Sequence, residues 1–260
     1  MTRPRPPSEV AVNRSKALAL LVAAVFVAAA GTTGCERQTG QPSPRTAPPA
    51  GGPRAHSAPP RAAVRPLPGI GPVMRARIPA TARQALVVTG ATEDTNEARV
   101  MLYEQVPGLG WHAVAGPWPA RNGLRGWTDD HDENDLRTPI GVFRLSDAGG
   151  LLPDPGARLP YDQDEGFTAS GTGHLGEPLD GSFDYVIAID YNRVPGTSPL
   201  DEDRPLGADK GGGVWLHVDH GGPTNACIAL DKAHVLALLR VLDPAMEPVV
   251  VMGPEAALKQ

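Results

Sequence analysis

Residues 214–231 read VWLHVDHGGPTNACIALD and connect a strand-like run to a helix-like run. VWLHV is rich in β-branched and aromatic residues, and the small, turn-forming residues after it are typical of a tight return. His217 lies in the strand-like part, and Cys227 follows ten residues later. We expect the return to bring the His217 imidazole close to the Cys227 thiol.

Further short runs rich in Val, Leu and aromatic residues predict strands, because Gly, Pro and Asn separate them. These runs are 84–90, 98–105, 110–116, 138–146, 183–192, 211–218 and 246–253. In DKAHVLALLRVLD, residues 231–243, apolar residues recur at three- and four-residue spacing, which predicts a helix with Asp231 as its N-cap. The patterns predict a mainly β domain over residues 80–255, a sandwich or barrel-like sheet with one clear α-helix near the C-terminus.

Three long stretches between these runs are rich in Gly, Pro and Asp, at 117–137, 147–182 and 193–210. Loops of this length in a compact domain usually form the walls or lids of a site. We therefore expect part of them to surround the His217 and Cys227 side chains.

The N-terminus carries an export pattern. Four basic residues within 1–16 precede ALALLVAAVFVAAAG, residues 17–31, which is shorter than the about 20 apolar residues that a permanent membrane helix needs. GTTGC at 31–35 resembles a bacterial lipobox, with Thr32 where Leu is usual, and would make Cys35 a lipidation site. An ordinary cleaved signal and an uncleaved anchor are the alternatives. Residues 1–35 thus predict export and membrane contact through an anchor or signal, at the outer face of the cell membrane or the cell wall.

Residues 36–79 contain 11 Pro and no periodic apolar pattern. Such a segment buries too little apolar surface to offset the entropy of ordering, so we predict a Pro-rich, disordered tether. By contrast, residues 78–260 carry 13 Lys and Arg against 27 Asp and Glu. This acidic balance argues against nucleic acid as a partner of the domain.

Cysteine content points to a reactive thiol. The chain has two Cys, and a lipid would occupy Cys35. Cys227 then lacks an intramolecular partner, and an odd Cys in an exported protein indicates a reactive thiol or an intermolecular bridge. Because an ordinary thiol has a pKa of about 8.5, it needs a base at neutral pH. His217 is the predicted base and His220 its rival, while the backbone amides of Ala226 and Cys227 could bind an oxyanion.

Two other interpretations of this stretch remain open. His217 and His220 could hold a metal together with Asp219 or Cys227, although a metal site needs three or four convergent ligands. Alternatively, the stretch holds a core histidine and a buried, inert cysteine. We predict no metal and no cofactor.

Two more polar segments have residue types that occur in binding sites. The acidic run DDHDEND, residues 129–135, lacks the turn Gly and the closing Glu of a calcium loop, which favours a solvated loop. Tyr191 and Arg193 follow a predicted strand and are candidates for substrate binding in the cleft, with a plain strand-end turn as the alternative.

Three stretches carry a family resemblance. RTPIGVF at 137–143, FDYVIAIDYNR at 183–193 and GGVWLHV with GGPTNACIAL within 212–230 resemble, in this order, the catalytic domain of YkuD-type L,D-transpeptidases. The resemblance covers roughly residues 80–253. It implies a YkuD-like β-sandwich and no cofactor, with Cys227 as the nucleophile and His217 as its base.

The resemblance also implies a substrate. Members of the family attack the bond after the diamino acid at the third position of a peptidoglycan stem tetrapeptide, release D-Ala and pass the acyl group to an amine of a neighbouring stem. We therefore expect a peptidoglycan L,D-transpeptidase that serves cell wall biogenesis and cell shape. A catalytically silent peptidoglycan-binding module of the same fold, and an L,D-carboxypeptidase that uses water as acceptor, are the alternatives.

The chain departs from the family just before the thiol. The family usually has Ser or Thr, then His-Gly-Cys, where this chain has Thr224, Asn225, Ala226 and Cys227. Ala226 replaces a Gly that would allow a positive φ. Asn225 can donate and accept hydrogen bonds, so it is a candidate to replace the missing His in supporting the site. Thr224 is a candidate substrate-binding residue.

Overall fold

The computed structural model describes residues 64–260. The predicted signal, Cys35 and residues 36–63 of the predicted tether lie outside the described residues. Within residues 64–260, no helix has both the length and the apolar character that crossing a membrane would require.

The described domain is built mainly from β-strands, with three helices in residues 64–260. The strands are β1 Gln84–Gly90, β2 Glu97–Val106, β3 Gly110–Arg121, β4 Trp127–Thr128, β5 Thr138–Pro139, β6 Gly141–Arg144, β7 Ala148–Gly150, β8 Tyr161–Gln163, β9 Val186–Ala188, β10 Trp215–Val218, β11 Ile228–Leu230 and β12 Val249–Pro254. The helices are α1 Pro72–Ala76, α2 Lys232–Val241 and α3 Glu255–Leu258. The prediction of a mainly β domain with a clear helix near the C-terminus is confirmed.

Ten strands form one mixed sheet in the order β6-β12-β1-β2-β3-β11-β10-β9-β7-β8, and β4 pairs with β5 in a separate small sheet. Strands β12 and β1, β11 and β10, and β7 and β8 are parallel neighbours. The connection from β10 to β11 is residues 219–227, shorter than the dozen or more residues that usually join parallel strands. This short return fixes where Cys227 enters the sheet.

Side chains of β1 alternate between two hydrophobic cores. Leu86 and Val88 pack in the larger core, and Ala85 and Val87 pack in the smaller one. Helix α2 contributes its apolar stripe to the larger core, whereas residues of α1 and α3 belong to the smaller core. Because both faces of β1 are covered, its sequence is a nearly continuous apolar run rather than an alternating one.

The prediction that the disordered tether extends to residue 79 is wrong. Leu67, Ile70 and Met74 are buried in the smaller core. The backbone N–H of Arg65 donates to the carbonyl of Leu109, and that of Trp111 donates to the carbonyl of Arg65. The apolar spacing at 67, 70 and 74 therefore outweighs the Pro-rich composition, and these residues belong to the domain.

Helix α2 forms as its pattern predicts. The Asp231 carboxylate accepts a hydrogen bond of 2.8 Å from the backbone N–H of Ala233, which is the geometry of an N-cap. The predicted strand at 183–192 is much shorter in the structure, with only β9 in strand conformation. A turn bond from Asp184 N–H to Gly181 O and the positive φ of Asn192, 45°, interrupt it at its two ends.

Candidate functional site

The thiol of Cys227 lies at the point where the chain enters β11. The register pairs Leu216 with Ile228, which places Cys227 beside Trp215. The backbone N–H of Trp215 donates to Cys227 Sγ at 3.3 Å, and the thiol donates to the carbonyl of Gly213 at 3.6 Å. Cys227 is partly exposed and lines a cavity of about 530 Å³.

His217 lies on the same face of the sheet as this thiol, because side chains alternate along β10 and the parallel register aligns Cys227 with that face. Its side chain is buried and lines the same cavity. His217 Nδ1 is 2.9 Å from the carbonyl of Val218, so Nδ1–H donates and Nε2 is left with its lone pair. No hydrogen bond joins Nε2 to Cys227 Sγ; such bonds often tighten only when substrate is bound.

Burial sets the protonation of both groups. Burial raises the pKa of the Cys227 thiol to about 11, and the N–H of Trp215 opposes this rise only in part. Burial also lowers the pKa of His217 to about 4. At pH 7 the pair is therefore a neutral thiol and a neutral imidazole, which suits proton transfer during nucleophilic attack rather than a preformed ion pair.

The turn before Cys227 offers free backbone donors. The amide N–H groups of Asn225, Ala226 and Cys227 donate to no acceptor within residues 64–260. Ala226 does not have a positive φ, so the backbone accepts alanine there without strain. Consecutive free amides beside a nucleophile are the donors that a developing oxyanion needs.

Thr224 lines the cavity, but its hydroxyl is already engaged. Oγ1 donates to the carbonyl of Cys227 at 2.6 Å, and the Thr224 backbone pairs with Asn122 and Leu124. Thr224 therefore holds the turn that precedes Cys227, and its role in substrate binding stays a prediction.

His220 also lines the cavity, with a different partner. Its Nδ1 is 3.0 Å from Glu177 Oε1, and the two side chains are 5% and 13% exposed. The His220 ring is parallel to that of His217, with an interplanar angle of 9° and centroids 5.7 Å apart. Burial alone would raise the pKa of Glu177, but hydrogen bonds from backbone N–H groups, including that of Leu175, and from His220 hold it below its usual value.

Residues 168–182 form one wall of the cavity, within the long stretch expected to surround the site. Phe183 follows this wall and packs edge-on against His217 at 5.3 Å and against Trp215 at 5.0 Å. Asn225 Oδ1 is 3.0 Å from Nε2 of His174, so Asn225 connects the turn to this wall. The sequence did not assign roles to His174, Glu177 or Phe183, because only the loop conformation brings His174 and Phe183 to the cavity and Glu177 to His220.

Tyr191 and Arg193 do not line the cavity that contains Cys227. The Arg193 guanidinium is buried and binds the carboxylates of Asp147 at 2.9 Å and Asp190 at 2.5 Å. The Tyr191 hydroxyl donates to the carbonyl of Lys210 at 2.8 Å. Both side chains are engaged in holding loops together, which replaces the predicted contact with substrate.

The metal interpretation finds no support in this geometry. The Asp219 carboxylate accepts a hydrogen bond from Gly221 N–H and pairs with Arg121 at 3.3 Å. Within residues 64–260, no three or more His, Cys, Asp or Glu side chains are grouped as a metal site would need.

In the acidic run at 129–135, Lys210 pairs with Asp130 at 2.6 Å and Asp132 at 2.8 Å, so these carboxylates are ion-paired.

No protein-family model matches the chain, and neither the curated proteins nor the solved structures searched contain a match. Assignment of a function therefore rests on the site itself. A thiol, an imidazole with a free Nε2 and unpaired backbone amides at Asn225 and Cys227 lie around one cavity, and these are the groups that cysteine acyl transfer uses. Ala226, between the two, packs against the larger core and does not line the cavity.

Proposed function

We propose that this chain is a cysteine-dependent peptidoglycan L,D-transpeptidase of the YkuD type. The observation that carries the proposal is the shared cavity of Cys227 and His217, in which Val218 O fixes the imidazole with Nε2 unprotonated. An inert core cysteine is not expected to be partly exposed on a cavity that also contains an imidazole held in this tautomer.

In the acylation step, Cys227 Sγ attacks the carbonyl carbon of the diamino acid in a stem tetrapeptide. The thiol proton passes to His217 Nε2 as the C–S bond forms, and the amides of residues 225–227 bind the oxyanion. His217 then gives the proton to the departing nitrogen of D-Ala, the C–N bond breaks and an acyl-thioester remains.

In the transfer step, an amine of a neighbouring stem attacks the thioester and releases the thiolate of Cys227. A new amide cross-links the two stems, and the thiol is restored by protonation. The chemistry requires no cofactor, since the residues around Cys227 supply nucleophile, base and oxyanion donors.

The proposal includes the fold and the location. We propose that the long sheet is a variant of the YkuD-type sandwich. In support, the larger core contains Leu86 of β1 together with Ile187 of β9 and Leu216 of β10, from distant positions in the strand order. The export pattern of residues 1–35 supports action at the outer face of the cell membrane or the cell wall, with Cys35 as the lipid anchor.

Treating the full chain with a carbapenem and measuring intact mass tests the nucleophile. A single adduct that maps to Cys227 is expected, together with release of D-Ala from a stem tetrapeptide. Absence of both the adduct and D-Ala release would refute the enzyme proposal.

Product analysis separates the related activities. Cross-linked dimers are expected from the transpeptidase, whereas free tripeptide stems alone would identify an L,D-carboxypeptidase. Muropeptide binding that persists in Cys227→Ala, without any adduct in the unsubstituted chain, would identify a silent binding module.

A further inference from the structure

The cavity contains a second imidazole that the acylation step does not use. His217 and His220 are stacked in parallel and both line the cavity with Cys227. The Nδ1 of His217 meets a neutral backbone carbonyl, whereas the Nδ1 of His220 meets the carboxylate of Glu177. The two rings therefore have different electrostatic surroundings.

A carboxylate partner changes what an imidazole can do. With Nδ1–H donating to Glu177, the carboxylate fixes the tautomer and orientation of the His220 ring, so that its Nε2 keeps a lone pair. No hydrogen bond within residues 64–260 occupies that Nε2. His220 is thus arranged as a proton acceptor in its own right.

Two glycines leave the space that the Glu177 carboxylate occupies. A Cβ at Gly173 or at Gly222 would collide with the Glu177 carboxylate. Neither glycine has a positive φ, so backbone conformation does not require glycine at either position. The space for the carboxylate beside His220 is what these two residues provide.

The two stacked imidazoles repel each other when both carry a proton. Their ring centroids are 5.7 Å apart, and His220 contributes to the lowered pKa of His217 after the larger effect of burial. One proton on the pair is therefore favoured over two, which suits the rings to successive proton transfers.

We propose that His220, positioned by Glu177, is the base for the acceptor amine, while His217 is the base for the thiol. This inference rests on the proposed transpeptidase function. The acceptor enters as a free amine, and its nitrogen attacks the thioester carbonyl carbon. As the C–N bond forms and the C–S bond to Cys227 breaks, one N–H proton passes to His220 Nε2. The thiolate then takes that proton, directly or through water, and the thiol is regenerated.

The test separates the two half-reactions in the full chain. Acyl-enzyme formation from a stem tetrapeptide is followed by intact mass, and its decay is followed after addition of a stem amine. His220→Gln and Glu177→Gln are expected to acylate within about twofold of the unsubstituted rate but to transfer about 10²-fold more slowly, so that acyl-enzyme accumulates. His217→Gln is expected to fail at acylation. His234→Gln, which removes an imidazole stacked on Trp118 outside the cavity, is the control and should leave both steps unchanged.

Gly222→Ala provides a second variant that keeps both histidines. Its methyl group would displace the flexible end of Glu177 rather than backbone, so we expect a folded protein with the same transfer defect. Hydroxylamine, which is largely unprotonated at neutral pH and is a strong nucleophile, should release the accumulated acyl-enzyme in His220→Gln. This release shows that the accumulated species is the acyl-thioester, whereas a purely structural role for His220 would slow acylation and transfer together.

Two outcomes would overturn the inference. Transfer at the unsubstituted rate in His220→Gln and Gly222→Ala would show that the pair is not the acceptor base. A parallel loss of acylation and transfer, without rescue by hydroxylamine, would assign the pair to supporting the cavity. Failure of the unsubstituted chain to acylate is a different result, because it refutes the proposed function itself.

Discussion

The two ends of the ten-stranded sheet differ in strand length and in how their loops are held. One end, from β6 to β3, contains strands of up to 12 residues, and two apolar cores sandwich its strand β1. The other end, from β11 to β8, contains strands of three or four residues joined by long loops, and it carries the candidate site. Its strands also pack in the larger apolar core, but buried polar contacts hold its loops.

The Arg193 cluster illustrates the second kind of stabilisation. Its guanidinium and the carboxylates of Asp147 and Asp190 are each no more than 5% exposed. The same guanidinium donates to the carbonyl of Thr197, and Asp147 accepts from the backbone N–H of Gly196. One buried side chain thus fixes loops that have few apolar residues of their own.

Replacing Cys227 by Ser should have the largest effect, and only on function. We expect no carbapenem adduct and no D-Ala release, because a hydroxyl is a far weaker nucleophile than a thiol at this site. The free energy of unfolding should change by no more than about 1 kcal/mol, the typical size for a single substitution, because Ser keeps the shape and hydrogen-bonding capacity of Cys. Intact mass and urea denaturation measure the two effects. An adduct that survives in Cys227→Ser would locate the reactive group elsewhere.

Substituting Arg193→Gln should destabilise the end of the sheet that carries the long loops. Asp147 and Asp190 would remain buried without their cation, which costs about 3–5 kcal/mol in comparable sites. Burial already raises the pKa of Asp190, so part of this loss will be relieved by protonation. Urea denaturation at pH 7 measures the change. A loss below about 1 kcal/mol would mean that the cluster contributes little to the loop end of the sheet.

The buried His217 imidazole should make stability depend on pH. Its folded-state pKa of about 4 lies below its ordinary value of 6.5, so the unfolded chain binds this proton first as pH falls. Stability is therefore fully present above about pH 6.5 and is lost towards pH 4, by about 3 kcal/mol from this group. Urea denaturation of the unsubstituted chain and of His217→Gln across this range isolates the contribution. Identical slopes would contradict a buried, neutral imidazole.

Substituting Met74→Ala tests how much helix α1 contributes to the smaller core. Met74 is 4% exposed and lies on a segment whose composition resembles a tether. Removing its side chain should cost about 2 kcal/mol. Val73→Ala is the matched control, since Val73 is 59% exposed in the same helix and should change stability by no more than about 0.5 kcal/mol. Equal effects of the two substitutions would show that α1 does not contribute through burial.

The same contrast explains what the sequence could predict. Strands β1 and β12 follow from short continuous apolar runs, and helix α2 follows from apolar residues at three- and four-residue spacing, because a core covers these residues. The pairing of His220 with Glu177 spans 43 residues and depends on the path of a loop, so no local sequence pattern predicts it. Arg193 was a candidate for substrate binding in the cleft, because sequence alone cannot distinguish a buried ion cluster from a substrate contact.

The candidate nucleophile itself was accessible to sequence reasoning. An odd cysteine and a histidine ten residues earlier predicted a shared location, and the structure places both on one cavity. The free amides around Ala226 were also expected, and their geometry shows that alanine suits the backbone there.

The neutral resting state of Cys227 has a consequence for chemical durability. With a pKa of about 11, the thiol is ionised in roughly one molecule in 10⁴ at pH 7. Peroxides and disulfides react with thiolates, so a resting thiol of this kind is slow to oxidise or to form mixed disulfides. Under the proposed function, the same burial would preserve the sulfur between turnovers. Under the proposed export, such a thiol would remain usable without a disulfide partner.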